Sequence, residues 1–223
     1  VTREFYINDA GVQIGRLAES LWARVQQAVG REATIPEGGY HGEYLSENAA
    51  TLLEKEGRAF ADLPTEEGVA RCRAAALQMQ RAEQDDTLAT FGVRFDVTAS
   101  EQALYDAGAV EAGLKRIAEA GLSYEQDGAL WFRTSSFGDE KDRVLRKQDG
   151  SYTYFVPDIA YHLDKVARGF DAAIDVWGAD HHGYVSRLKT ATRAVGANAD
   201  GLHILLYQLV TLKRGTEVVR LSK

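Results

Sequence analysis

The sequence predicts an α/β protein, a parallel sheet flanked by helices and interrupted by a mainly helical insertion. Three observations predict it. At the front, Arg3–Ile7 (REFYI) has strand composition, and a turn at Asn8-Asp9-Ala10-Gly11 leads into an apolar stripe at helical spacing. In the last quarter, Tyr152 to Lys223, the pattern alternates strand, helix, strand, helix, strand and hairpin. That is the rhythm of parallel strands joined by crossover helices. Between residues 31 and 90 the pattern is helical alone. The expected division is 1–30 with 91–223 as the core and 31–90 as the insertion.

Composition bounds the class. With 223 residues, 45% of them hydrophobic and 26% charged, the chain can bury a sizeable core. Its single cysteine, Cys72, excludes an internal disulfide and fits a reducing, cytoplasmic setting. No apolar run approaches the roughly 20 residues needed to span a bilayer. The formal charge of −7 argues against a generally basic nucleic-acid binder, although a local basic strip stays open. The start at Val1 and the stop at Lys223, directly after a hairpin-like stretch, lead us to expect a piece of a longer protein.

Taken in order, Ile14, Leu17, Leu21, Val25 and Val29 set an amphipathic helix over Val12–Val29, which Gly30 ends. Asn8 and Asp9 fall at a strand-to-helix turn, where ligand contacts occur, but a helix N-cap accounts for them as well. Ile35-Pro36-Glu37-Gly38-Gly39 is a loop, and a helix should follow from about Tyr44 to Glu56. Thr65 is the expected N-cap of the next, whose stripe is Val69, Cys72, Ala76 and Met79. His41 and Cys72 read as packing residues, and Glu83–Asp86 as a solvated face. Then come a short strand at Phe95–Val97, a helix capped by Ser100, and a helical stripe over Val110–Ala120. Strands are expected at Ala129–Arg133 and Arg143–Lys147, with a hairpin turn at Asp149-Gly150. The polar loop between those strands, Thr134–Asp142, reads as solvated charge.

The chemistry-bearing residues gather in the last quarter. Pro157 suits a first helical position, and Asp158 in that first turn suits the helix dipole without any ligand. A sharper reading has Tyr154 and Asp158 facing a bound cation. His162, one turn on, either lines that face or bonds within the core; Tyr161 is left undecided. The run Ala173–Trp177 ends in Gly178-Ala179-Asp180-His181-His182-Gly183-Tyr184. Open parallel sheets bind ligands beyond the carboxyl ends of their strands. A strand-end carboxylate accepting ribose hydroxyls fits Asp180, with His181 a donor near the nucleotide. A metal site on Asp180, His181 and His182 is the weaker reading, because adjacent helical side chains diverge by about 100°.

Several stretches resemble the arginyl-tRNA synthetases, a family of class I aminoacyl-tRNA synthetases. They are REFYINDAG at 3–11, YHGEYL at 40–45, DGALWFRTSSFGDEKDRVL at 127–145, SYTYFVPDIAYHLDK at 151–165 and DVWGADHHGY at 175–184, with VVRLSK at 218–223. The resemblance implies a Rossmann-like catalytic core. It also implies an arginine–tRNA ligase that activates L-arginine with ATP and Mg2+, then transfers it to the terminal adenosine of tRNA(Arg), working as a monomer. On that pattern Tyr154 and Asp158 fall in the arginine pocket, and a carboxylate suits a planar guanidinium. Gly178, Asp180, His181 and Gln208 fall on the ATP side, and His181 and Lys223 are the expected catalytic residues. Lys223 would stabilise the migrating phosphate charge.

Two departures matter. The signature loop reads Arg220-Leu221-Ser222-Lys223, with arginine where its first lysine is expected. No HIGH motif is present: His41, His162, His181, His182 and His203 all lie in other contexts. The resemblance places that motif before Val1 and an anticodon-binding domain after Lys223, so this piece alone should aminoacylate little or nothing. The alternatives are a non-catalytic synthetase-like module that binds an amino acid or nucleotide, and a metal-dependent hydrolase.

Overall fold

One strand and then a run of helices open the computed structural model, which describes residues 1–219. Two compact units emerge, one from Val1–Glu101 with the stretch from Arg214, the other from Gln102–Lys213.

In the first unit, β1 (Glu4–Ile7) pairs in parallel with β2 (Val97–Ser100), in register from Glu4 opposite Val97 to Ile7 opposite Ser100. The strand expected at 95–97 therefore lies further along the chain. Phe95 instead stacks on Phe5 with ring centroids 5.1 Å apart, and Asp96 pairs with Arg3 at 3.0 Å. Helices α1 (Val12–Ala28), α2 (Tyr44–Glu56) and α3 (Thr65–Thr90) build this unit's core. Leu17, Leu21, Trp22 and Val25 of α1 close on Leu45, Ala49 and Leu52 of α2 and on Cys72 and Ala76 of α3, with Phe60 from the short turn Arg58–Asp62. Burial pushes the Cys72 thiol up to about 12, although the nearby Arg71 charge pulls the other way, so it is an inert core group.

The expected caps are corrected here. Thr65 is the first residue of α3 rather than its cap; Pro64 holds that place, and no side chain caps the helix. Gly11, at φ 82°, precedes α1, again without a side-chain cap. The Asp9 carboxylate instead accepts from the Ser100 hydroxyl at 2.6 Å, joining the carboxyl ends of β1 and β2. Ser100 is the last residue of β2 and stands directly before the helix that opens at Glu101, the place expected of its cap.

In the second unit, α4 (Glu101–Asp106) leads into α5 (Ala109–Glu119), then an antiparallel sheet of β3 (Ser123–Gln126), β4 (Ala129–Phe132) and β5 (Arg143–Arg146). β3 was not among the expected strands. The charged loop after β4 is solvated only in part: Glu140 and Lys141 are exposed, but Arg143 grips Asp139 with two bonds of 2.7 and 2.5 Å. Asp142 accepts from Ser135 and Tyr124. Gly150, at φ 82°, turns the chain back so that Tyr152 bridges Arg146. Helix α6 (Phe155–Ala167) then buries Phe155, Val156, Ile159 and Ala160 against Val110 and Ile117 of α5, Phe132 and Leu145 of the sheet, and Ala191 and Val195. Pro157 is the third residue of α6, not the first; the amides of a first helical turn lack intrahelical partners, so proline is tolerated there too.

Strand β6 (Ala173–Gly178) follows, then a 3-10 turn over Ala179–Tyr184, α7 (Val185–Ala194) and β7 (Leu202–Tyr207). β6 and β7 run parallel, from Ala173 opposite Leu202 to Gly178 opposite Tyr207. Short strands β8 (Lys213–Arg214) and β9 (Glu217–Val218) make the expected hairpin. No helix among the described residues is long and apolar enough to cross a membrane.

Candidate active site at the carboxyl edge of the parallel strands

The site is built on the pair β6–β7, whose carboxyl ends lie side by side. Gly178 ends β6 in extended backbone, and a Cβ there would fall 2.5 Å from Oδ1 of Asp180, so glycine lets that carboxylate fold back against the strand end. Asp180 and His181 project from the 3-10 turn with more than half of each side chain exposed, 3.6 Å apart. The His181 ring meets Trp177 edge-on at 6.1 Å. His182 turns elsewhere, its Nδ1 3.2 Å from the Ala179 carbonyl. Among the described residues no group of three His, Cys, Asp or Glu side chains is arranged to hold a metal ion. Gln208 lies one residue past the end of β7, exposed, rather than late in the strand.

The second cluster belongs to α6. Tyr154, immediately before the helix, is 78% exposed, and Asp158 lies one turn on, half-buried. A helical spacing of four puts both on one face. Burial raises the Asp158 pKa above the usual carboxylate range, and the hydrogen bond it accepts from the Tyr184 hydroxyl at 2.6 Å offsets that only in part. This bond joins the two clusters, because Tyr184 closes the turn that carries Asp180 and His181. Its ring packs edge-on to Phe155 at 6.0 Å and against Trp177 at 5.9 Å.

Behind Asp158 lies a buried polar network that sequence reasoning half anticipated. His162 does bond within the core: Nδ1 is 2.7 Å from the Asp158 carbonyl oxygen, and Nε2 is 2.7 Å from Oδ2 of Asp175 in β6. Lys165 donates to the other Asp175 oxygen at 2.7 Å, and its ammonium stands 4.2 Å from the centre of the Tyr161 ring. Burial alone would raise Asp175, yet the His162 hydrogen bond and the His162 and Lys165 charges outweigh it, and its pKa is lowered. Both ring nitrogens of His162 face oxygen acceptors, one of them the Asp175 carboxylate. α6 is thereby pinned to β6 from beneath Asp158. Asp175 and Tyr184 went unremarked in the sequence because their partners lie 13 and 26 residues away. An acid inside an otherwise apolar strand was the available signal for Asp175. Lys223 and Arg220 lie outside the described residues.

Comparison with known proteins agrees with the fold. Residues 1–211 match the family described as tRNA synthetases class I (R), catalytic domain. The arginine–tRNA ligase of Geobacillus kaustophilus is 48% identical over 223 residues, covering all of this chain and 40% of that protein. That of Desulforudis audaxviator is 50% identical over the same span, again 40% of its length. A crystal structure of a Campylobacter jejuni protein assigned as an arginyl-tRNA synthetase superposes with a TM-score of 0.87 at 36% identity, covering 99% of this chain and 48% of that one. The Thermus thermophilus arginyl-tRNA synthetase, at 17% identity and a TM-score of 0.56 over 93% of this chain and 49% of that one, shares the fold. The chain thus spans about two-fifths of the curated relatives' length. With a strand-end site on a parallel α/β frame and a match that runs through nearly every element, the chain belongs to the class I tRNA synthetases (R), as part of their catalytic domain.

Proposed function

We propose that this chain is part of an arginine–tRNA ligase, which activates L-arginine with ATP and passes the arginyl group to the terminal adenosine of tRNA(Arg). The observation that carries the reading is the Tyr184–Asp158 bond, which brings a half-buried carboxylate on α6 together with the glycine–aspartate–histidine turn at the end of β6. The arginine relatives, about half identical over the whole chain, support the choice of amino acid.

In this reading Tyr154 and Asp158 receive the guanidinium, whose planar fork rewards two parallel hydrogen bonds to a carboxylate. The Asp180 carboxylate accepts from the ribose hydroxyls, His181 donates toward the nucleotide, Gly178 keeps the approach to the strand end open, and Gln208 borders the same edge. One carboxylate oxygen of arginine attacks the α-phosphorus of ATP, which is bound with Mg2+. The bond to the bridging oxygen breaks, and pyrophosphate leaves with the electron pair. The protein's part is alignment and stabilisation of charge on the phosphate oxygens, the second role falling to Lys223. The division of the chain that accompanies this reading is a core of 1–30 and 91–223 around a helical insertion at 31–90. The setting is a monomeric enzyme of the cytoplasm, where a lone buried thiol stays reduced.

ATP–pyrophosphate exchange on the full-length protein, with arginine, magnesium and tRNA, tests the reading. Exchange should require arginine, reject lysine, and collapse in Asp158→Ala and Lys223→Ala variants. An intact full-length protein without exchange would point to a non-catalytic binding module; exchange that survives Asp158→Ala would remove the arginine pocket proposed here.

A further inference from the structure

We propose that Tyr184 is a positioning residue for amino-acid selection: its hydroxyl sets the orientation of the Asp158 carboxylate, and its ring couples that carboxylate to the turn facing the nucleotide. The inference rests on the arginine reading above and extends it to a residue outside the expected site.

The geometry is specific. The hydroxyl donates to Oδ2 of Asp158 at 2.6 Å. The ring is held by Phe155 of α6, by Trp177 of β6, and by the guanidinium of Arg187 in α7, 5.4 Å from its centre. Three elements therefore fix where that hydroxyl points. From below, His162 holds the Asp158 main-chain oxygen and ties it to Asp175. The backbone of Asp158 is thus set by one contact and its side chain by another.

Orientation matters because of what a guanidinium is. A planar fork needs the plane of the opposing carboxylate to match its own, whereas an ammonium is a point charge that tolerates a rotated partner. A carboxylate freed at Oδ2 still attracts a cation but no longer favours the fork. Loss of the hydroxyl should therefore weaken arginine more than lysine. The ring, by contrast, carries the coupling to Trp177, which packs on His181.

The test is pyrophosphate exchange on the full-length protein with Tyr184→Phe, Tyr184→Leu and Asp158→Asn. Tyr184→Phe keeps the ring and removes only the hydroxyl. We expect its KM for arginine to rise about tenfold, equivalent to about 1.4 kcal/mol, with the KM for ATP unchanged and discrimination against lysine reduced by a similar factor. Tyr184→Leu should raise the KM for ATP as well. If Tyr184→Phe keeps a normal arginine KM while Asp158→Asn loses arginine, the positioning role is wrong and the arginine pocket stands. Parallel rises in both KM values together with a lowered melting temperature in Tyr184→Phe would mean a merely structural role and overturn the proposal. If Asp158→Asn also leaves the arginine KM untouched, the pocket itself is misplaced and the proposal falls with it.

Discussion

Asp158 shows how one residue can be expensive for the fold and useful to a site. Its pKa is raised chiefly by burial, so the native state binds a proton that the unfolded chain, titrating near 3.9, has already released. Native stability from this group therefore falls as pH rises from the unfolded value through the raised one. In the proposed pocket a bound guanidinium would supply the missing opposite charge and reverse the balance. Arginine binding should then expel a proton below the raised pKa, and the KM for arginine should fall as pH rises through it before levelling off. Calorimetry in buffers of different ionisation enthalpy, run from mildly acidic to neutral pH, would detect that proton; a buffer-independent heat and a flat KM would exclude the coupling. The sequence allowed Asp158 to be either a dipole-complementing helix residue or a ligand contact. It could not show the burial, nor the hydrogen bond from Tyr184, 26 residues along the chain.

Whole elements were legible where an apolar period or a turn signal was strong. The stripe of α1, the Asp149-Gly150 turn and the run that becomes β6 all lie where their residues place them. β3 (SYEQ) has no apolar run; what makes it a strand is pairing with β4, Tyr124 opposite Trp131 with the rings 6.4 Å apart. Partners of this kind decide strands more than intrinsic preference does. Gly68 gives the same lesson for helices. In an exposed helix interior Gly→Ala gains about 1 kcal/mol, yet here a Cβ would fall 2.5 Å from the buried Trp22 ring of α1. Overpacking of that kind costs about 1–3 kcal/mol, enough to cancel the gain or exceed it. Gly68→Ala should lower the melting temperature of the full-length protein; an unchanged or higher one would show that Trp22 has room to move.

At the scale of the whole molecule, the β6–β7 pair departs from an ordinary surface. Ile174 and Val176 are 64% and 65% exposed, and Leu205 across from Val176 is 56% exposed. Apolar side chains gathered on a parallel sheet are normally covered by helices, and uncovered they invite association. The 223-residue chain expressed by itself should bind a hydrophobic dye and self-associate, whereas the full-length protein should do neither. A monodisperse, dye-free, cooperatively melting chain would contradict this. His162 offers a way to watch the same half of the molecule from inside. Its two ring nitrogens are sealed in contacts of 2.7 Å, one to α6's own backbone and one to β6. A proton held between Nε2 and Asp175 can trade with solvent deuterium only when helix and strand part, which makes a single imidazole a built-in clock for the opening of the frame that carries Asp158.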